Sequence, residues 1–336
     1  MVRIAIDATY SVDPYPSGIT VYSREIITGL EWLYPQDHYL RCYRPKKFRF
    51  ARNSRLLLSP LPTFRADLFH ALNQRVDQRP ARRVVSTFHD LFVMTGEYSS
   101  PEFRARFTEQ ARRAADNSDL IVAVSEFTAA QISELLRFDR RGIRVVPHGV
   151  HLPMLSEKSR EKLILFVGAL QRRKNILRMV EAFEQIDDEW KLVLAGAPSG
   201  YRAREILDRI ELSPARQRIR VTGYVSAGVL AELYAAASIF LFPSLDEGFG
   251  IPVLEAMAHG VPVITSKRSA LVEVAGQSAV LVDPEETEEI RMALSRLIAD
   301  DRLRRSLAAS GRRRAEAYSW ERAVRSTHAV YQELLR

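Results

Sequence analysis

The chain is 336 residues long, 46% apolar and 27% charged, ordinary values for a globular protein and enough chain for about two domains. No apolar run approaches the ~18 to 20 residues needed to span a bilayer, and the opening MVRIAIDAT reads as a strand, not an export signal. The single cysteine, Cys42, excludes an internal disulfide framework, no Cys/His cluster points to zinc, and the cytosol or its membrane face is the expected compartment.

Strand and helix patterns alternate along the chain. Val2–Ala8 reads as a strand, and Gly18–Leu33 as a helix with Ile19, Tyr22, Ile26, Leu30 and Leu33 on one face. Further strands are expected at 84–88, 120–124 and 143–146, with Ser125 capping a helix that runs to Leu136. After a polar link at Ser156–Lys162 the pattern restarts, with strands at 163–167, 191–195, 219–221, 239–242, 261–265 and 280–282. Ser319 then caps a last helix with Trp320, Val324, Thr327, Tyr331 and Leu334 on one face. Such alternation predicts parallel sheets covered on both faces. The restart predicts two such domains, 1–153 and 160–318.

The charge is uneven. The formal net charge is +8. Residues 1–153 hold 22 basic and 16 acidic side chains, and no acid stands between Asp37 and Asp67. That stretch carries Arg41, Arg44, Lys46, Lys47, Arg49, Arg52, Arg55 and Arg65 among Tyr39, Tyr43, Phe48, Phe50 and Phe64. The plain reading is a solvated basic loop. The alternative is that 39–64 meets an anionic membrane surface. No zinc finger, RNA-recognition signature or basic zipper supports a nucleic-acid partner.

Two segments carry chemistry. In LILFVGALQRRKNILRMVEAF (163–183) a buried strand ends at Gly168, and Asn175 is placed to cap the next helix. Arg172, Arg173 and Lys174 then lie at a helix N-terminus. There they oppose the macrodipole by roughly 0.3–1 kcal/mol each when exposed. Three such violations in a row point to an anion, and phosphate is the natural guest. A basic surface loop is the plain alternative. In FPSLDEGFGIPVLEAMAHGVPVIT (242–265) the strand ends at Pro243, and Gly248 and Gly250 bracket Phe249 in a tight turn. Pro252 fits the first helical position and Gly260 the end. Glu247 then borders a cavity toward which Glu255, expected in the first helical turn, also leans. Both lie at the carboxyl end of a parallel strand. Taken singly, they read as a solvated loop acid and an ordinary first-turn acid.

Several motifs are missing. No G-x-G-x-x-G, phosphate-binding P-loop or D-x-D occurs. Anion neutralisation is therefore expected from Arg, Lys and helix dipoles, with no metal and no further cofactor.

Glu247 and Glu255 form an E-x7-E pair, set among IAIDAT…SGITVYSREII, STFHDL, LIVAVSEFT, VVPHGV, ILFVGALQRRKNI, TGYV, GFGIPVLEA, SALVEVAG and the terminal YSW helix. In this order the motifs resemble family 4 glycosyltransferases, most closely a mannosyltransferase-like branch, over nearly the whole chain. The resemblance implies a GT-B architecture of two Rossmann-like domains with a donor cleft between them, the last helix (319–336) crossing back onto the first. It implies a hexosyltransferase that works with retention in polysaccharide or glycolipid synthesis. Its donor would be a nucleotide sugar, with GDP-mannose favoured over UDP-sugars, and its acceptor a glycan or lipid-linked saccharide. By the same resemblance Glu247 lies near the donor sugar hydroxyls and Glu255 binds the ribose. Arg173 and Lys174 hold the diphosphate, Gly18 belongs to a loop that closes over it, and Gly248, Phe249 and Gly250 form the donor turn. His89 stands near the transferred sugar, and Tyr224 and Val225 lie where the base packs. Departures are Ala169, where some relatives carry arginine, Val272 in place of a common proline, and SGI in place of a glycine pair. His89 also reads as a satisfied buried histidine at a strand end. Other classes with the same layout are a two-lobed sugar-binding protein, and a sugar-nucleotide hydrolase or epimerase.

Overall fold

Ile4 and Ile6 are fully buried on one face of the first strand and Ala5 on the other, as a parallel strand covered on both sides requires. The structure is a computed structural model that describes residues 2–14, 17–50, 56–58, 65–155 and 159–336. The chain divides into two units, Met1–Gly149 with Tyr318–Arg336, and Val150–Ala317. Among the described residues no helix is long and apolar enough to cross a membrane.

The first unit holds β1 (Arg3–Asp7), β2 (His38–Tyr43), β3 (Leu56–Leu57), β4 (Leu68–Ala71), β5 (Arg83–Phe88), β6 (Leu120–Ala123) and β7 (Ile143–Val145). They lie in the order β3-β2-β1-β4-β5-β6-β7 and every pair is parallel. The chain runs outward through β2 and β3, then returns to the other side of β1. The order therefore reverses between β1 and β4, and the crevice outside those two carboxyl ends is where open α/β sheets bind ligands.

Helix Gly18–Leu33 covers one face through Tyr22, Ile26, Ile27 and Leu30. Ser17 caps it, accepting from the Thr20 N–H at 3.4 Å. The last helix, Trp320–Leu335, packs beside it and adds Trp320, Val324 and Tyr331 to the same core. Gly29 permits that close crossing: a Cβ there would sit 2.5 Å from Val324 Cγ2. Helices Pro101–Asp116 and Glu126–Leu136 cover the other face with Ala111, Ala114, Ala115, Ala129 and Ile132.

The basic stretch is not simply a solvated loop. His38–Tyr43 is an inner strand, with Cys42 and Tyr43 buried. Arg41 Nε donates to Glu31 at 2.8 Å, Arg44 pairs with Asp77 at 2.7 Å and Asp7 at 3.3 Å, and Lys47 pairs with Asp13. The acids missing locally arrive from β1, the loop after it, the first helix and the segment between β4 and β5. Lys46, Arg49, Phe50 and Arg65 are exposed. Arg52, Arg55 and Phe64 lie outside the described residues, as does Ser156 of the polar link.

The second unit holds β8 (Glu161–Val167), β9 (Lys191–Ala195), β10 (Ile219–Gly223), β11 (Ala237–Phe242), β12 (Val263–Ser266) and β13 (Val280–Val282). Their order is β10-β9-β8-β11-β12-β13, again all parallel. Here the reversal falls between β8 and β11. Buried Ile164, Leu165, Phe166, Phe240 and Phe242 fill the sheet's two faces. Arg160 ties the neighbouring helix ends together. It donates to the carbonyls of Tyr234 (3.0 Å), Ala237 (2.7 Å), His259 (2.6 Å) and Gly260 (3.0 Å), a cation where helix C-termini leave acceptors unmet.

Candidate active site

The carboxyl ends of β8 and β11 build the site of the second unit. After β8 the chain turns at Gly168, φ +149°, a conformation that favours glycine. Gly196 passes it so closely that a Cβ would sit 1.9 Å from the Gly168 carbonyl oxygen. The loop is laced to the β9 side by Gly168 N–H to Ala195 O (2.9 Å) and Leu170 N–H to Ala197 O (3.0 Å).

Arg172, Arg173 and Lys174 form one 3-10 turn ahead of helix Ile176–Glu184. Asn175 occupies the cap position at φ +59°, yet its side chain makes no cap bond. It donates instead to the carbonyls of Pro243 (3.0 Å) and Pro284 (2.5 Å). The expected cap is thus a brace between three loops.

The β11 loop meets this turn directly. The Leu245 N–H donates to Arg173 O at 2.9 Å, and the Arg173 guanidinium donates to Asp246 O. Glu247 Oε1 lies 2.5 Å from Lys174 Nζ and Oε2 lies 2.7 Å from Arg173 Nη1. All three side chains are buried. Burial by itself raises the Glu247 carboxyl. The Arg173 and Lys174 charges, with their hydrogen bonds, outweigh that and hold it down to about 2. Lys174 Nζ also stands 4.6 Å from the Phe242 ring centroid. The Glu247 backbone is fixed by its N–H to Ser269 Oγ (3.2 Å) and by the Ala270 N–H to its carbonyl (3.3 Å).

Gly250 sits at φ +111°, and a Cβ there would strike Leu271 at 2.6 Å. The following helix is Ile251–Ala258, so Pro252 is its second residue, not its first. Glu255 is the fifth, one residue further in than expected and just beyond the first turn. Its Oε2 accepts from Tyr234 Oη at 2.9 Å. Burial raises the Glu255 carboxyl, against that hydrogen bond and His151. Tyr224 follows Gly223 (φ +69°) at the end of β10 and is 46% exposed; Val225 precedes Ser226, the cap of helix Ala227–Ala236.

Gly18 and His89 belong to the first unit. Gly18 is the first residue of its helix and not part of a loop. His89 follows β5 and has both ring nitrogens engaged. Nε2 lies 2.9 Å from Leu72 O, which only accepts, so this nitrogen carries the proton. Nδ1 faces His148 Nε2 at 3.4 Å. Burial lowers His89 to about 4, keeping it neutral at pH 7. The expected role near the transferred sugar is therefore not that of a base with a free nitrogen.

The structure thus gathers Arg173, Lys174 and Glu247, with Gly248, Phe249, Gly250 and Glu255 on the turn and helix that follow. Sequence reasoning missed Ser269 and Tyr234. A serine just ahead of ALVEVA was the available signal for the first; nothing local pointed to Tyr234. Among the described residues no cluster of three or more His, Cys, Asp or Glu is arranged to hold a metal.

Two family descriptions cover most of the chain: "Glycosyltransferase Family 4" over 20–152 and "Glycosyl transferases group 1" over 153–314. The chain is 31% identical to the O-antigen chain mannosyltransferase B of Escherichia coli, over 80% of this chain and 74% of that protein. It is 30% identical to the MMP alpha-(1->4)-mannosyltransferase of Mycolicibacterium hassiacum, over 68% of this chain and 57% of that one. Its fold is that of a sucrose-phosphate synthase from Thermosynechococcus elongatus (TM-score 0.81, 22% identity, 99% of both chains). It is also that of Anabaena HepE in complex with UDP-glucose (TM-score 0.79, 16% identity, 99% of this chain and all of that one). Two Rossmann-like units with parallel sheets are the GT-B architecture. The chain belongs to glycosyltransferase family 4 and is a hexosyltransferase.

Proposed function

We propose that the protein moves a mannosyl group from GDP-mannose to a glycan or lipid-linked saccharide, with retention at the anomeric carbon. The observation that carries this reading is the Arg173–Lys174–Glu247 cluster at the β8/β11 reversal. As the bond from the sugar's C1 to the diphosphate oxygen breaks, negative charge grows on the diphosphate. Two buried cations stabilise that charge best where water is excluded. No side chain is cast as a covalent nucleophile. The acceptor hydroxyl attacks C1 on the face the diphosphate leaves, and its proton passes to the departing diphosphate oxygen.

In this reading Glu247 contacts the donor sugar hydroxyls and Glu255 the ribose. Tyr224 and Val225 pack the base, the Gly248–Gly250 backbone approaches the sugar, and His89 positions without exchanging protons. Two mannosyltransferases among the relatives support the mannosyl donor. The test is a panel of GDP- and UDP-sugars in thermal shift, since a ligand at 100 times its Kd stabilises by ~2.7 kcal/mol. Nucleoside diphosphate release and NMR of the product anomer follow. Stabilisation by UDP-sugars alone rejects the donor, and an inverted product rejects retention.

A further inference from the structure

We propose that the side-chain amide of Asn73 binds a vicinal diol of the acceptor sugar at the β1/β4 reversal of the first sheet. This rests on the glycosyl-transfer reading for the word acceptor, and on the first unit alone for its geometry.

Asn73 lies two residues beyond β4, at the carboxyl end of that strand. The order of the sheet reverses between β4 and β1, the position at which ligands enter such sheets. Asn73 is only 3% exposed, and neither its Nδ2 nor its Oδ1 has a hydrogen-bond partner; Gln74 Oε1, also buried, has none. Buried side-chain amides with both ends unmet are rare and destabilising.

Slackness of the loop does not explain it. The Leu72 carbonyl accepts from His89 Nε2 at 2.9 Å and the Gln74 carbonyl from Gln110 Nε2 at 3.3 Å. The Arg75 carbonyl accepts from Arg44 Nη2 at 2.8 Å and the Val76 carbonyl from Asn117 Nδ2 at 3.1 Å. Four side chains from three segments, two of them from helix Pro101–Asp116 and its C-terminal cap, pin the backbone on both sides of Asn73 while its amide stays unmet. A rigid frame around an unpaired polar group is the arrangement of a binding site built in advance.

The chemistry of the group selects the ligand. A primary amide offers one acceptor and one donor side by side in a plane, so one hydroxyl of a diol donates to Oδ1 while its neighbour accepts from Nδ2. The charged groups that follow in the loop and at the end of β1 are paired: Arg75 with Asp77 at 3.5 Å, and Asp7 with Arg44 at 3.3 Å and the Thr9 N–H at 3.0 Å. A neutral polyol therefore fits better than an anion.

The probe is methyl α-D-mannopyranoside, followed by saturation-transfer NMR without any nucleotide. Wild type is expected to bind it. Asn73→Leu, close to isosteric, should weaken binding tenfold or more. Its Tm should hold or rise, because both unmet polar atoms are removed together. Asn73→Ala must give the same loss of binding, should the leucine variant fail to fold. Affinity for GDP, held by the other unit, should not change in either. Absence of wild-type binding overturns the proposal. So does a fall in Tm with unchanged mannoside binding, the sign of a structural amide satisfied by water. Competition by inorganic phosphate with no mannoside signal overturns it in favour of an anion. Failure of the panel of GDP- and UDP-sugars to release nucleotide rejects the functional reading without touching this result.

Discussion

Glu247 Oε1 lies 2.5 Å from Lys174 Nζ, so the acid expected at the donor sugar and the base expected at the diphosphate hold one another. On the proposed reading, a diphosphate entering this site would exchange one anion for another on the same two cations. Glu247→Gln should therefore tighten GDP binding while nearly abolishing transfer. Its nucleotide-free form should lose about 3–5 kcal/mol, the effect of leaving buried cations without their partner, and GDP should restore much of it. Lys174→Ala should do the reverse to affinity, weakening GDP by about 1.5–3 kcal/mol, one charge-assisted bond. Calorimetry with GDP on both variants decides: weaker binding to Glu247→Gln refutes the exchange.

Glu255 and Tyr234 make a second such pair, joined at 2.9 Å. If Glu255 serves the ribose, then Glu255→Ala should weaken GDP and GDP-mannose alike, by about 1.5–3 kcal/mol, with little change in kcat at saturating donor. Tyr234→Phe keeps the ring stacked on His259 and removes only the hydroxyl. It should shift nucleotide affinity in the same direction but less. A kcat loss without an affinity loss in Glu255→Ala would move that residue from binding to the chemical step.

The helices and the glycine turns of this fold were legible because their signals are local. Ser17, Ser125 and Ser319 cap where a serine precedes an apolar periodicity, and Gly168, Gly250 and Gly260 fall where the chain must take positive φ. What could not be read is long-range pairing. Glu247 and Lys174 are 73 residues apart, and their contact exists only because β8 and β11 are neighbours. β4 was missed because it is four residues long and carries a buried histidine. His70 is satisfied by Thr87 Oγ1 at 2.8 Å and by Tyr331 Oη at 2.6 Å, 261 residues away. β2 was misread because its arginine and tyrosines suggest solvent, whereas Glu31 and the flanking strands receive them.

Three buried histidines set the acid limit of the first unit. Burial lowers His70 to about 3, His89 to about 4 and His148 well below its ordinary value, with His89 adding to the effect on the other two. The unfolded chain takes up these protons near pH 6.5 and the folded one does not. Stability is thus intact above 6.5 and falls as pH drops toward 4, by up to about 1.4 kcal/mol per pH unit for each histidine. Glu247 acts later: its carboxyl lies below the ordinary value, so its contribution is present above 4.5 and lost toward 2. Trp320, with its ring 6.0 Å from His148, reports the first event once Trp32 and Trp190 are changed to Phe. A Trp320 transition that is flat between pH 6.5 and 4.5 would show that these histidines are protonated in the fold.

The basic stretch gives the last prediction. Arg41, Arg44 and Lys47 are engaged by Glu31, Asp7, Asp77 and Asp13, whereas Lys46 and Arg49 are exposed, with Arg49 4.7 Å from the Phe50 ring centroid. Arg44→Ser leaves Asp7, which is fully buried, without its cation. It should lower Tm by an amount equivalent to about 3 kcal/mol or more. Lys46→Ser and Arg49→Ser should stay within about 0.5 kcal/mol of wild type. If the segment meets an anionic leaflet, each exposed cation contributes ~1 kcal/mol there, so the Lys46→Ser/Arg49→Ser double variant should release the protein from phosphatidylserine vesicles at low salt without any loss of Tm. Vesicle binding that disappears only in Arg44→Ser, together with stability, would mark the effect as unfolding. Binding that survives the double variant would place any lipid contact elsewhere on the chain.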